Sequence, residues 1–396
     1  MPEDKTKDVV PPLRFPESRN TGPWEVKRLG DKSIAKFIRD RIPSEEIPIG
    51  HYVSTVNLLP DFAGLATEPE TPPPNNAIAY REGDILMSNI RPYLKKVWIA
   101  DRFGGASNDV LVIRAEKGVK DAYLAHLLMS DRFITYVMGG AKGVKMPRGD
   151  LEQIQDFRVP VPPVPEEQQK IADCLSSLDD LIRAEGERLE ALKDHKKGLM
   201  QRLFPREGQT TPDLRFPEFR NASPWEMKRL DKLVKTVTPP KKLQTSEYLP
   251  KGKYPVIDQS SNDICGWTND KTALLQEEFP LVVFGDHTCT VKLACEPFAQ
   301  GADGIKILAP TPEIKAHFLF LALQANPIEQ KGYKRHFSTL REKLIFFPRK
   351  DTGEQQKIAD CLSSLDDLIR AQEARIDALK QHKKGLMQRL FPQEVE

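Results

Sequence analysis

The chain has 396 residues, of which 39 % are hydrophobic and 29 % are charged, so we expect a folded protein of two or three domains. The net charge of +2 neither requires nor excludes DNA binding, because a phosphate-binding surface would have to come from local clusters of cations. No stretch approaches the roughly 18 apolar residues of a membrane span and no CxxC pair occurs, so we expect a cytoplasmic protein without membrane contact, structural disulfides or a zinc site.

The first elements in chain order are a frame segment, residues 1–22, and a domain, residues 23–164. In this domain EGDILMSNI (82–90) and DVLVIRA (109–115) have the residue types of strands. AYLAHLLMSDRFITYVMG (122–139) has the apolar spacing of a helix. The pattern therefore predicts a mixed α+β domain.

Two segments of this domain concentrate residues that could bind DNA. SNIRPYLKK (88–96) surrounds Tyr93 with polar residues, and GGAKGVKMPRGD (139–150) places cations on a glycine-rich loop. Arginine and lysine pair with guanine edges and phosphates, and asparagine pairs with adenine. A solvated surface cation is an equally good interpretation of any single residue, and Arg91 and Lys145 are favoured because their turns should expose them. The candidates are Asn89, Arg91, Lys95, Lys96, Lys142, Lys145 and Arg148.

Residues 165–204 are predicted to form one long helix. Its apolar residues are spaced alternately by four and three, and only Glu185 and Lys196 interrupt this seam. Pro165 begins the helix and Pro205 stops it, so roughly 38 residues at 1.5 Å each give a rod of about 57 Å. The seam residues are Leu175, Leu178, Ile182, Leu189, Leu192 and Leu199.

A linker, residues 205–223, leads to a second domain, residues 224–352. GDHTCTVK (285–292) and KGYKRHFS (331–338) contain its DNA-binding candidates, and the second run is the densest basic–aromatic cluster of either domain. A phosphate clamp is one interpretation of this run, and a solvated face is the other. The spacing of the His and Cys residues in these runs predicts neither a metal site nor a nucleophile. The candidates are Asp286, His287, Lys292, Lys331, Tyr333, Lys334 and Arg335.

The chain ends with a second helix, residues 353–392, and a tail, residues 393–396. Residues 354–392 match residues 167–205 at 33 of 39 positions, whereas the two domains show no such identity. We therefore expect the two helices to pair as an antiparallel coiled coil in a pseudo-twofold molecule. The alternative is that each amphipathic helix packs on its own domain. The second seam contains Leu362, Leu365, Ile369, Ile376, Leu379 and Leu386.

A Pro-Trp-Glu sequence opens each domain, at residues 23–25 and 224–226. GDILMSNIRPYLKKVWIA (83–100) follows in the first domain, and VPVPPVPEEQQKIADCL (159–175) joins that domain to its helix. These motifs resemble the domain start, the core strands and the domain–helix junction of a specificity subunit of a type I restriction–modification system. The second junction, FFPRKDTGEQQKIA (346–359), lacks the proline-rich run, so its geometry could differ.

The resemblance implies two target-recognition domains that each bind one half of a divided site in double-stranded DNA. It also implies that the helices bind two methyltransferase subunits and fix the half-site spacing, and that restriction subunits join this core. No catalytic residue is expected in this chain, because GxxxxGK[ST] and N-P-P-[YF] motifs are absent. We expect no cofactor here, with S-adenosylmethionine, ATP and magnesium on partner subunits only.

Two other functions fit part of the sequence. A coiled-coil scaffold whose domains bind proteins would use the duplicated helices equally well, but the basic clusters in both domains favour DNA. A DNA-modifying enzyme that needs no partner would require the cofactor and catalytic motifs that the sequence lacks.

Overall fold

The computed structural model describes residues 9–66, 68–206, 208–302, 304–330, 332 and 334–392. They form two compact units. Unit 1 contains the described residues up to Gly186 together with residues 375–392, and unit 2 contains residues 187–374. Each unit therefore includes one domain and a part of both long helices. Among the described residues, no helix combines the length and hydropathy needed to cross a membrane.

Unit 1 is a mixed α/β structure. Its strands are β1 (Glu25–Arg28), β2 (Ala35–Ile38), β3 (Arg41–Pro43), β4 (Tyr52–Val53), β5 (Asn76–Tyr80), β6 (Ile85–Ser88), β7 (Val97–Ile99), β8 (Gly104–Ala106), β9 (Val110–Ala115) and β10 (Arg158–Val161). Its domain helices are α1 (Asp121–Leu128), α2 (Asp131–Gly139) and α3 (Leu151–Asp156), and the first long helix is α4 (Pro165–Leu203).

The central sheet of unit 1 has the antiparallel order β2-β9-β6-β7, and a second sheet has the order β3-β5-β8-β4. Side chains alternate between the faces of a strand. Ile85 and Met87 therefore pack in the core that contains α1 and α2, whereas Leu86 packs on the opposite face with Tyr80 and Trp98. Strand β6 is buried on both faces, which explains its continuous apolar sequence.

Unit 2 repeats this arrangement with a different sequence. Its elements are β11 (Glu226–Arg229), α5 (Leu230–Leu233), β12 (Val234–Val237), β13 (Tyr254–Ile257), β14 (Gly266–Thr268), β15 (Leu281–Gly285), β16 (Val291–Ala294), β17 (Ala299–Gln300), β18 (Ile305–Pro310), α6 (Ala316–Ala325), α7 (Phe337–Glu342), β19 (Leu344–Phe347) and the long helix α8 (Glu354–Leu390).

The central sheet of unit 2 has the order β12-β18-β15-β16, which matches β2-β9-β6-β7 strand for strand. Val282 and Phe284 of β15 face the core that contains α6, and Leu281 and Val283 face the other side. In both units a two-stranded pair, β1-β10 or β11-β19, joins the start of the domain to its end. The predicted mixed α/β fold of two related domains is confirmed.

The long helices pair antiparallel within each unit. In unit 1, Asp179 of α4 accepts from Lys383 of α8 at 2.5 Å, and Glu185 accepts from Arg375 at 2.7 Å. Residue numbers therefore increase along α4 in the direction in which they decrease along α8. In unit 2, Lys196 of α4 bonds Asp366 of α8 at 2.5 Å, and Lys193 contacts Glu373 at 3.3 Å. Glu185 and Lys196, which interrupt the predicted seam, are thus accommodated by ion pairs between the helices.

The ends of the predicted seams also pack on the domains. Leu175 belongs to the core of unit 1 and Leu362 to the core of unit 2, and both are fully buried. Leu386 lies against the core of unit 1, and Leu199 lies against the core of unit 2. Coiled-coil pairing and packing on a domain therefore occur in different parts of the same helices.

Near its start, each long helix makes a buried ion pair with an arginine of the segment that precedes its domain. Arg14 donates to Glu167 through Nε at 2.8 Å and Nη2 at 2.6 Å, and Arg215 donates to Glu354 at 2.8 and 2.5 Å. Both carboxylates are buried near a helix N-terminus, where negative charge is favourable.

The junction between the second domain and α8 differs from the first junction in its backbone conformation, but the glutamine at the start of each helix makes the same contact. A 3₁₀ turn at Lys350–Thr352 and Gly353, with φ +81°, stand where the first junction has prolines. Gln168 nevertheless accepts from the backbone N–H of Lys120 at 2.9 Å, and Gln355 accepts from that of Lys315 at 2.8 Å. The two helices are therefore anchored on their domains in the same way.

Candidate nucleic-acid interface

The turn after β6 presents Arg91 to solvent. Arg91 (φ +51°) and Lys95 (φ +55°) both have left-handed backbone conformations and flank a 3₁₀ turn at Pro92–Leu94. Such conformations are uncommon for residues other than glycine and are often found at functional turns. The Arg91 side chain is exposed and has no hydrogen bond or ion pair to any other described residue.

The other candidates of this turn are held by neighbouring groups. Lys95 Nζ bonds Asp131 at 2.7 Å, and Lys96 Nζ donates to the carbonyl oxygen of Thr55 at 2.7 Å. Burial and the nearby charge of Arg91 lower the pKa of Lys96. The half-buried Asn89 uses its backbone carbonyl to accept from Gly149 N–H. These three residues shape the turn, and Arg91 is its most accessible cation.

The second segment of unit 1 is a short hairpin, which we call the 142–148 hairpin. Lys142 and Arg148 exchange backbone hydrogen bonds of 2.9 Å in both directions. Their side chains pair with Asp150 at 2.5 Å and Asp109 at 2.7 Å, whereas Lys145 at the tip is exposed. The hairpin therefore presents one free cation at its tip and two neutralised cations at its base.

The hairpin lies beside the turn that follows β6. Arg91 N–H donates to the carbonyl oxygen of Pro147 at 2.7 Å, and an isolated bridge joins Ile90 to Arg148. Two segments about fifty residues apart in sequence thus form one surface. Arg91 and Lys145, the two favoured candidates, are both on it.

In unit 2, two of the sequence-predicted candidates point inward. Asp286 Oδ1 accepts from the backbone N–H groups of His336 and Phe337 at 2.9 and 2.8 Å, so this buried carboxylate anchors the start of α7. Lys292 is buried and donates to the carbonyl oxygens of Asp258 and Asn262, and its burial lowers its pKa. Their structural contacts therefore leave neither group accessible to DNA.

The remaining candidates of unit 2 are more accessible. Lys334 and Arg335 are exposed, whereas Lys331 and Tyr333 lie outside the described residues. His287 is half-buried, and its carbonyl oxygen accepts from Gln330, the residue before the second candidate run, at 2.9 Å. Lys306 of β18, which is not among the sequence-predicted candidates, has its ammonium 5.4 Å from the ring centre of Phe337, in the second candidate run.

The candidate surfaces occupy equivalent places in the two units. One part of each surface follows β6 or β15, the third strand in the spatial order of the central sheet. The other part precedes the short helix α3 or α7, which is followed by the last strand of the domain, β10 or β19. The sequences at these places are unrelated, yet both contain exposed cations. A shared fold therefore carries two chemically different surfaces at one position.

Cys289 and Cys265 of unit 2 lack the low thiol pKa of a nucleophile. Burial raises the pKa of Cys289 and raises that of Cys265 to about 11, so both thiols are protonated at neutral pH. Within the part of the chain that the structure describes, no three His, Cys, Asp or Glu side chains are grouped to hold a metal ion.

Comparison with known proteins gives one consistent result. The model of the type I restriction modification DNA specificity domain matches the chain twice, over residues 22–194 and 222–381. The type I restriction enzyme MjaVIII specificity subunit of Methanocaldococcus jannaschii is 25 % identical, covering 97 % of this chain and 94 % of that protein. The putative MjaX specificity subunit of the same organism is also 25 % identical, covering 94 % and 93 %.

Two solved structures share the fold. The S subunit of a type I restriction–modification system from M. genitalium has a TM-score of 0.62 at 14 % identity, covering 98 % of this chain and all of that one. A chain from a study of complex assembly and conformational transition in the type I system has a TM-score of 0.57 at 19 % identity, covering 94 % and 98 %.

Proposed function

The chain belongs to the family of type I restriction–modification DNA specificity subunits, and on this premise we propose that each unit binds one half of a divided site in double-stranded DNA. The equivalence of the two basic surfaces carries the proposal. Dissimilar residues occupy the same two loops of two domains that are attached to nearly identical helices. In this arrangement the helices and the domain fold are the same in both units, while the residues that would contact bases differ. The comparisons do not favour the protein-binding scaffold.

Different cations are assigned different contacts. Arg91 is exposed in a constrained turn and suits a guanine edge, where a guanidinium can donate to both O6 and N7. Lys334 and Arg335 are consecutive exposed cations beside an aromatic residue, Phe337, and suit the phosphate backbone. Base contacts would then select the sequence, and phosphate contacts would supply affinity.

The Lys334→Ala/Arg335→Ala variant tests DNA binding by the full chain. We expect weaker binding to every duplex alike, and a plot of log affinity against log salt concentration that is shallower by about 0.9 per lost phosphate contact. The measurement is a salt titration on duplexes selected from a random pool and on scrambled duplexes.

Lys251→Ala/Lys253→Ala is the matched control, because it removes the same charge from exposed positions just before β13. It should leave the slope unchanged. Loss restricted to the selected duplexes, with an unchanged slope, would contradict phosphate anchoring, and no binding by the unmodified chain would contradict the proposed function.

The long helices are assigned to partner binding and to the spacing of the half-sites. The first 18 aligned residues of the two helices, 167–184 and 354–371, are identical. All six differences between the helices lie within residues 185–194 of the first helix and the aligned residues of the second. Identity in the first part includes solvent-facing positions, among them Leu181 and Leu368, which are 38 % and 54 % exposed. Exposed leucines retained in both copies support one kind of partner that binds twice, and a methyltransferase subunit is the partner we propose.

The Leu181→Asp/Leu368→Asp variant tests this assignment. We expect the chain to fold and to bind DNA, but to lose affinity for the methyltransferase by about 30-fold per site, as for a central interface residue. Co-purification and DNA methylation by the mixed subunits are the measurements. Glu187→Ala is the control, because the equivalent residue, Ala374, already has this side chain. Undiminished assembly of the leucine variant would exclude this face.

The remaining parts of the proposal concern chemistry outside this chain. We assign methyl transfer, with S-adenosylmethionine, to the methyltransferase, and cleavage, with ATP and magnesium, to restriction subunits. No catalytic residue or cofactor is assigned to this chain. We propose that the chain binds cellular DNA in the cytoplasm.

A further inference from the structure

The candidate surface of unit 1 contains exposed apolar side chains among its cations. Val144 at the tip of the 142–148 hairpin is fully exposed (102 %), and Met146 is 53 % exposed. Tyr93 is exposed in the adjoining turn, and Val56 is exposed in the loop whose Thr55 carbonyl accepts from Lys96. Exposed apolar groups that cluster in this way indicate a binding surface, and here they require a partner with both apolar and anionic groups.

The base of the 142–148 hairpin is held by contacts with neighbouring residues. The Lys142–Arg148 backbone bonds close its base, and the ion pairs to Asp150 and Asp109 hold both sides. A Cβ atom on Gly149 would lie 2.7 Å from Asn89 Oδ1, so this glycine lets the hairpin pack against the turn after β6. The backbone at the base of the hairpin is thus ordered before binding, which lowers the entropic cost of binding.

The shape and chemistry of the tip fit one feature of DNA. The major groove is about 12 Å wide and admits a two-stranded ribbon, and among the bases only thymine presents a methyl group there. Valine is short and β-branched, which suits contact with a methyl group more than insertion between stacked bases. Lys145, next in the chain and exposed, could reach a flanking phosphate while the valine is in the groove.

We propose that Val144 is a specificity-determining residue that contacts the C5-methyl group of a thymine in the half-site bound by unit 1. This inference rests on the proposed DNA-binding function. The corresponding described loops of unit 2, residues 285–292, 330, 332 and 334–336, expose no large apolar side chain.

The test compares the full-length chain with its Val144→Ala variant. Selection from random duplexes should give a thymine at one position for the unmodified chain, and a relaxed preference at that position for the variant. Deoxyuridine in place of this thymine removes only the methyl group. It should weaken binding by the unmodified chain about fourfold, the value of one buried methyl-sized group, and should not affect the variant.

Ile49→Ala is the control, since Ile49 is equally exposed but lies outside the hairpin and the turn after β6. It should retain the fourfold effect of deoxyuridine. If the unmodified chain selects a sequence that Val144→Ala selects equally well, or tolerates deoxyuridine at every position, the inference is wrong while DNA binding stands. If the unmodified chain selects no sequence at all, both the inference and the proposed function fail.

Discussion

Glu354→Ala will lower the free energy of unfolding of unit 2 by about 3–5 kcal/mol, because it removes one partner of a buried ion pair. The Glu354 carboxylate accepts two hydrogen bonds from Arg215 and one from Trp225 Nε1 at 3.4 Å. Without it, the guanidinium of Arg215, which is 10 % exposed, keeps its charge in a poorly solvated site. The carboxylate also lies in the first turn of α8, where the helix dipole favours it.

Urea denaturation, with hydrogen exchange at the amides of β11 and β19, measures this loss in unit 2. Glu354→Gln keeps the side-chain volume and one acceptor oxygen, so it should cost less than the alanine variant. Glu167→Ala should produce a similar loss in unit 1, because Arg14 occupies the position of Arg215. A Glu354→Ala protein with unchanged unfolding would show that the pair contributes no net stability.

His126→Leu will make unit 1 less sensitive to acid. Burial, together with the charge of Lys383, lowers the pKa of His126 from 6.5 to about 3. Below pH 6.5 the unfolded chain therefore binds a proton that the folded chain does not accept until about pH 3. The free energy of unfolding should fall as the pH falls through this window, by up to about 1.4 kcal/mol per pH unit from this residue.

Unit 2 shows which side chain can replace this histidine. Tyr123 of α1 packs on Trp24, and Phe318 of α6 packs on Trp225, so these two residues are equivalent. His126 and Leu321 each follow three residues later, so Leu321, which is buried, is the equivalent of His126 in unit 2. Denaturation of His126→Leu between pH 7 and pH 4 should show a shallower pH dependence than that of the unmodified chain. Leu321→His should add such a dependence to unit 2. Parallel pH curves for His126→Leu and the unmodified chain would refute this role of the histidine.

The long helices were the most predictable elements. The sequence predicts a helix over residues 165–204, and α4 is Pro165–Leu203. Prolines mark its ends, and apolar spacing is a local property of the sequence. The helix expected over 122–139 is instead two helices, α1 and α2, because Ser130 accepts from Phe133 N–H and begins a new helix. A Ser-Asp pair inside an apolar run was the available signal.

The candidate site was less predictable, because the direction of a side chain depends on distant residues. Lys292 and Lys334 have equivalent charges, but carbonyl oxygens about thirty residues away hold Lys292 inside the fold. The joining of Arg91 to the 142–148 hairpin likewise depends on a backbone bond between segments that no local pattern relates. The exposure of Val144 is a property of the folded hairpin, and valine in sequence is normally taken as a core residue.

The division of the long helices between the units has a consequence for synthesis of the chain. Leu390 and Phe391 belong to the core of unit 1, whose other buried apolar residues lie between Trp24 and Leu175, whereas unit 2 is one continuous stretch. Most of unit 1 is therefore synthesised before unit 2, but its core is complete only after Leu390 and Phe391 have been synthesised. At about 5–20 residues per second, its unfinished apolar surface waits roughly 10–40 s while unit 2 is made. Nascent unit 1, not unit 2, is the part of this protein that most needs protection from aggregation.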